Sequence, residues 1–187
     1  MKGLLQVGFE VARVVVVALI IVIPLRVFVF EPFLVKGDSM VPNYHNGDYL
    51  IVDKLSYLLG APQRGDVIVL KYPFDQSQRF LKRVIGLPGE SVEVQDGKVV
   101  VYGQDGQETG AAVLDESLYL SLGLQTPGSL RIDLREGEYF VLGDNRPASS
   151  DSRKWGVLAR QLIVGKVLLN VFSLEAFAKE IMPQESY

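Results

Sequence analysis

Cysteine is absent from this chain and histidine occurs once, as His45, and these two gaps narrow its chemistry sharply. Without a thiol there is no disulfide, no thiolate nucleophile and no cysteine metal cage. With a single imidazole, a His-Glu-x-x-His metal site cannot be built either. No metal or other cofactor is therefore expected. Positive charge is also short: 19 Lys and Arg stand against 22 Asp and Glu, a formal net charge of −3. Residues 1–30 carry +2 from Lys2, Arg13 and Arg26 against Glu10, which leaves −5 for the remainder. An acidic main body lacks the clustered cations that a nucleic-acid backbone requires, so nucleic acid is excluded as a partner. The missing cysteine does not set the compartment, because exported domains without disulfides and cytosolic domains share it. At 187 residues and 48% hydrophobic content, one substantial core can be filled, but not two full domains.

Long apolar runs are scarce as well, and the chain has one. Val14 to Leu25 is unbroken, counting Pro24, and beyond Arg26 it resumes as Val27-Phe28-Val29-Phe30 until Glu31-Pro32 closes it. As a helix, Val14 to Phe30 would span roughly 25 Å, and Arg13 and Arg26 can extend it by snorkelling toward a ~30 Å hydrocarbon core. No Ala-x-Ala cleavage site follows between Arg26 and Met40, which argues against a removed signal. Arg13 and Arg26 would lie about 220° apart around a helix, so no polar stripe suits an interfacial lie. The segment reads as an uncleaved anchor over 11–30, behind a short tail at 1–10 and ahead of a catalytic domain at 31–187. Lys2 and Arg13 balance Arg26 and Lys36, so charge alone does not orient it.

Past the anchor, short β-branched runs alternate with Gly, Pro and Asp turns. The pattern predicts strands over 49–52, 67–70, 80–85, 91–95, 98–102, 139–142 and 162–172, hence a mainly β fold. Asp96-Gly97 between two of them is a type I′ hairpin signal, since both central residues need positive φ. Residues 104–130, rich in Gly, Gln, Ser and Thr, read as an insertion or long loop with no evident chemistry. Leu174 to Ile181 reads as a short terminal helix. The apolar loop Tyr57-Leu58-Leu59-Gly60-Ala61 has two readings, packing into the core or dipping into a membrane.

Three segments carry the chemistry. Ser39 lies in Gly37-Asp38-Ser39-Met40-Val41-Pro42, just beyond the anchor, and a serine hydroxyl needs a base before it can attack a carbonyl. Alternation in Phe80 to Ile85 puts Lys82 on one face with Phe80 and Val84. Burial among them would disfavour its ammonium form and make it a usable base near neutral pH. A lysine snorkelling from an edge strand to a surface carboxylate is the plainer alternative, and His45 is the rival base. The third segment, Gly143-Asp144-Asn145-Arg146-Pro147-Ala148-Ser149-Ser150-Asp151-Ser152-Arg153, holds hydroxyls, carboxylates and guanidiniums. It is either a solvated loop or a shell that supports the other two.

Taken in order, these pieces resemble the boxes of bacterial type I signal peptidases, the Ser-Lys peptidases of family S26. The resemblance runs from about residue 26 to 156. It is carried by Arg26 to Phe33, Ser39-Met40-Val41-Pro42, Gly47 to Lys54, Arg64 to Val69, Lys82 to Gly89, and Gly143-Asp144-Asn145-Arg146 with Ser149, Asp151, Ser152 and Arg153. It implies a β domain of coiled antiparallel sheets behind one transmembrane helix. The implied activity is removal of signal peptides from exported preproteins after small residues at −1 and −3. It further implies Ser39 as nucleophile, Lys82 as general base and the Ser39 N–H as oxyanion donor. Ser149 would orient the Lys82 amine, with Arg83, Asp144, Asp151 and Arg153 bracing the site. Phe33, Val35, Met40, Leu50, Phe80 and Leu81 would line shallow substrate pockets. The implied setting is single-pass in the cytoplasmic membrane with the catalytic domain outside, in contact with the bilayer and transiently with the export machinery. Three positions depart from the usual pattern: Gly37 stands where some members carry a serine that completes the oxyanion hole, Asn43 replaces a threonine, and Pro147-Ala148 replaces Asp-Asn. Two other readings are a self-cleaving SOS-type Ser-Lys domain, which should carry a helix-turn-helix, and an inactive anchored β-domain that binds exported chains.

Overall fold

Period-two alternation of apolar and polar residues after position 29 produces strands, and every pairing among them is antiparallel. The computed structural model describes residues 2–24, 29–103 and 111–172. A helix, α1 (Lys2–Pro24), is followed by β1 (Phe30–Leu34), β2 (Tyr49–Asp53), a short α2 (Ser56–Leu59), β3 (Val67–Tyr72), β4 (Asp75–Gly86), β5 (Ser91–Gln95) and β6 (Lys98–Tyr102). Then come β7 (Ala112–Val113), β8 (Leu130–Asp133), β9 (Glu138–Leu142), α3 (Ser152–Trp155), β10 (Leu158–Ala159) and β11 (Ile163–Phe172). Two sheets form, one ordered β1-β2-β11-β3-β4-β9-β10 and one ordered β7-β6-β5-β8.

The mainly β expectation holds, and the Asp96-Gly97 turn has positive φ at both residues, 52° and 77°. Two boundaries differ from the sequence reading for identifiable reasons. Phe30, expected at the end of the anchor, is the first residue of β1 and pairs with Asp53. Pro32 disguises that strand, yet β1 is an edge strand, where a missing N–H is tolerated. β4 begins at Asp75, ahead of the expected Phe80, because the polar run Asp75 to Arg79 extends the hairpin with β3 without any apolar alternation.

Three apolar clusters fill the interior. One, with Ile68, Leu70, Val84, Tyr139, Val141, Trp155 and Leu158, lies on the larger sheet. A second joins the two sheets, with Ile85, Phe140 and Leu142 meeting Val92, Val94, Val99 and Val101. The third gathers Val35, Met40, Leu50, Val52, Val67, Val69 and Leu81 beside the Ser39 turn. The loop at 57–61 divides between its two readings: Tyr57 is buried and donates to Asp66 at 2.8 Å, whereas Leu58 and Leu59 face outward.

Along α1 the side chains described are those of residues 7–20, and all are exposed, including Val7, Phe9, Val11, Val14 to Val17, Leu19 and Ile20. Among the described residues no helix is long and apolar enough to cross a membrane. Residues 25–28 of the expected anchor, residues 104–110 of the expected insertion and the expected helix at 174–181 lie outside the described residues.

Candidate active site

Ser39 occupies the turn between β1 and β2, while Lys82 sits mid-strand on β4, opposite Ile68 of β3. Forty-three positions separate them in sequence, yet Lys82 Nζ lies 2.7 Å from Ser39 Oγ. The amine also donates to the Leu81 carbonyl at 2.8 Å and stands 5.4 Å from the centre of the Phe80 ring, the same-face neighbour that strand parity identified. Lys82 is only 2% exposed. Desolvation pushes its amine down to about 8, against the opposing pull of the Asp151 and Asp144 charges. A lysine so placed is mostly protonated at pH 7 but reaches its neutral form far more readily than an ordinary lysine, and that form has a lone pair available to the serine proton.

The 143–153 segment grips the Ser39 turn by its backbone. The Asn145 N–H donates to the Ser39 carbonyl at 3.0 Å, and Asn145 Nδ2 donates to the Asp38 carbonyl at 3.0 Å. The Asp144 N–H points at Met40 Sδ, 3.4 Å away. Gly143 is demanded by this closeness, since a methyl there would overlap both the Ser149 hydroxyl and the Ser39 carbonyl. The Ser39 N–H donates to no group among the described residues.

Two buried ion pairs brace this arrangement. Arg83 forks onto Asp144 with Nε–Oδ1 at 2.8 Å and Nη2–Oδ2 at 2.6 Å, and Asn43 Nδ2 adds a bond to the same carboxylate at 2.8 Å. Arg153 forks onto Asp151 at 2.8 and 2.7 Å, and the Gly143 N–H donates to Asp151 at 3.1 Å. Burial pushes the Asp151 carboxyl up, but the Arg153 fork, the Gly143 N–H and the Ser149 hydroxyl together hold it below its ordinary value. Ser149 Oγ is buried and, apart from that influence on Asp151, makes no hydrogen bond of ordinary geometry; none joins it to Lys82. Fork-on-fork pairing of this type fixes orientation as well as charge.

Other expected residues fall into place unequally. Phe33 and Phe80 line an open cleft with Leu34, Lys36, Ser77, Gln78 and Arg79. Val35, Met40, Leu50 and Leu81 are instead buried in the apolar cluster against which Phe33 packs. Gly37 has φ of +87°, where a side chain is strained, and its N–H donates to Asn46 Oδ1 at 3.0 Å. The exposed His45 binds Asp48 through its backbone N–H, and its ring makes no bond to Ser39.

The reading of 104–130 as lacking chemistry is corrected. Glu116 forms a bidentate pair with the fully buried Arg146, whose guanidinium also donates to Thr126 Oγ1 and, through Nε, to the Gly143 carbonyl at 3.1 Å. Tyr119 stacks under the Arg83 guanidinium, 4.1 Å from ring centre to Cζ, and its carbonyl accepts from Asn43 at 2.7 Å. This stretch clasps the supporting residues from outside.

Residues 8–172 match the family described as signal peptidase, peptidase S26. A probable signal peptidase I-1 of Synechocystis is 41% identical over 163 residues, covering 83% of this chain and 78% of that protein. A signal peptidase I of Bacillus licheniformis is 32% identical over 161 residues, covering 84% of each. A crystal structure of a signal peptidase I from Enterococcus faecalis aligns with a TM-score of 0.46 at 34% identity, covering 59% of this chain and 98% of that one.

Proposed function

Because this chain belongs to the signal peptidase family, peptidase S26, we propose that its hydrolysis runs on Ser39 and Lys82 as a two-residue catalytic unit. The chain is a serine endopeptidase that removes signal peptides from preproteins. The observation that carries the dyad is the 2.7 Å contact between the buried Lys82 amine and the Ser39 hydroxyl. The neutral amine takes the hydroxyl proton as Oγ attacks the scissile carbonyl; the resulting ammonium returns that proton to the leaving amine. The same lysine then activates the water that breaks the acyl-enzyme. The unpaired Ser39 N–H donates to the oxyanion. Gly37 brings no hydroxyl and its own N–H is committed to Asn46, so the Ser39 N–H carries the oxyanion.

Arg83, Asp144, Asp151 and Arg153 hold the loop that sets Ser39 against Lys82, and Ser149 lies behind it. The cleft bounded by Phe33 and Phe80 accepts an extended chain with small side chains at −1 and −3. α1, exposed over 7–20 and apolar there apart from Gly8, Glu10 and Arg13, anchors the enzyme in the cytoplasmic membrane with 31–187 on the outer side, where bilayer and export machinery present the preprotein. Cleavage of a preprotein with Ala-x-Ala before its processing point tests the dyad. Ser39→Ala and Lys82→Met should each abolish detectable cleavage to a similar extent, because the two act as a unit. Full activity in either variant would remove the dyad from the mechanism.

A further inference from the structure

Ser39 is the acceptor of a second kind of support that lies outside the ion-paired shell. We infer that Asn145 is a positioning residue for the nucleophile, acting through the two peptide groups that flank Ser39; this rests on the assignment of Ser39 above. A trans peptide is planar, so its C=O and N–H point in opposite directions. Asn145 Nδ2 holds the Asp38 carbonyl at 3.0 Å, and in doing so it aims the Ser39 N–H of the same plane toward the opposite side. The backbone N–H of Asn145 holds the carbonyl of the next peptide, Ser39–Met40, at 3.0 Å. A single residue thus restrains the backbone on both sides of the serine.

The need for it is local. Upstream, Gly37 has no side chain to pack and sits at positive φ, tethered through its N–H to Asn46. Downstream, the Val41 N–H reaches the Asp38 carbonyl at a longer 3.3 Å. Without the Asn145 amide, the Asp38–Ser39 plane keeps that single weaker restraint and is free to tilt. A tilt of this plane redirects the Ser39 N–H, which donates to no group among the described residues, and so affects the developing oxyanion more than the bound substrate. Among the described residues the hydrogen bonds of Asn145 reach neither Lys82 nor the cleft residues; it acts through Ser39.

The test uses the full-length chain in detergent. Asn145→Asp keeps the size and the backbone N–H but replaces the donor with an acceptor facing a carbonyl, and Asn145→Ala removes the group. Both should lower kcat on the preprotein by about 10²-fold, as loss of an oxyanion donor does, with KM changed by less than about threefold. Inhibition by a peptide boronate, which forms a tetrahedral adduct on a serine, should weaken in parallel with kcat, while the thermal midpoint stays at that of the parent. Unchanged kcat in both variants overturns the inference, as does a loss of kcat that tracks a fall in thermal midpoint or a rise in KM. If Ser39→Ala is inactive while both Asn145 variants are fully active, this inference fails and the dyad stands. If Ser39→Ala is active, it is the dyad that fails.

Discussion

Burying an ammonium group carries a free-energy cost, and in Lys82 that cost has a readable pH signature. Its amine titrates at about 8 in the folded chain against an ordinary value of 10.5, a difference worth about 3 kcal/mol. Below pH 8 both folded and unfolded chains hold the proton, and the folded state bears the full penalty. Between 8 and 10.5 the unfolded chain holds more proton than the folded one, so stability rises with pH; above that window the penalty is gone. Two outcomes are expected. Cleavage rate rises with pH along a limb centred near 8. Lys82→Met, inactive, is at least as stable as the parent at pH 7 in urea unfolding and lacks the rise in stability between pH 8 and 10.5 that the parent shows. A Lys82→Met variant clearly less stable at pH 7 would show that the amine is held by favourable bonds and is not paying for its burial.

Elements matter here because the supporting groups come from distant stretches of chain. Glu116 precedes β8 by more than a strand's length, yet its carboxylate neutralises Arg146 inside the 143–153 loop. Neither side chain of this pair is freely hydrated: Arg146 is fully buried and Glu116 nearly so. Removing one partner leaves an uncompensated buried charge, so Glu116→Leu should destabilise by roughly 3–5 kcal/mol in denaturant unfolding. The double variant Glu116→Leu, Arg146→Met should recover much of that loss, because it replaces the pair by apolar bulk. Additive losses in the double variant would mean that the two residues do not act through each other. The clasp could not be read in advance: Glu116, Tyr119 and Thr126 show no period, and their partners lie 20 to 76 positions away.

For the molecule as a whole, the question is how a folded β domain meets its substrate. Apart from Glu10 and Arg13, α1 exposes mostly apolar side chains along its described length, which in water would leave a large uncovered surface. Leu58 and Leu59 add two more outward apolar groups, 74% and 84% exposed, on α2. Their loop follows Lys54, whose N–H donates to the Val29 carbonyl at 2.9 Å, so it stands beside the point where β1 begins. A chain lacking residues 1–24 should therefore lose most of its sedimentation with liposomes. It should also cleave a bilayer-inserted preprotein far less well than the full chain, while hydrolysis of a short soluble peptide changes little. Equal sedimentation of the two forms would count against α1 as the anchor.

Local regularities were legible from the residues themselves. Strand periods, the Asp96-Gly97 turn, the absence of thiol and imidazole pairs, and the parity that set Lys82 beside Phe80 all depend on neighbours within a few positions, where propensity and alternation act directly. The Glu31-Pro32 break hid β1, and a polar run hid the start of β4, because strand pairing can override local composition. Only the tertiary structure decided what crosses the chain: the 2.7 Å approach of Lys82 to Ser39, the Gly143 contact that leaves no room for a methyl, and the clasp of Glu116 on Arg146. It also separated Phe33 and Phe80 at the cleft from Val35, Met40, Leu50 and Leu81 in the core, a distinction that apolar character alone does not make. The physical reason is that burial and hydrogen bonding are set by whichever segments the sheets bring together, and the one-dimensional pattern records only that a residue suits an interior, not which interior it will enter.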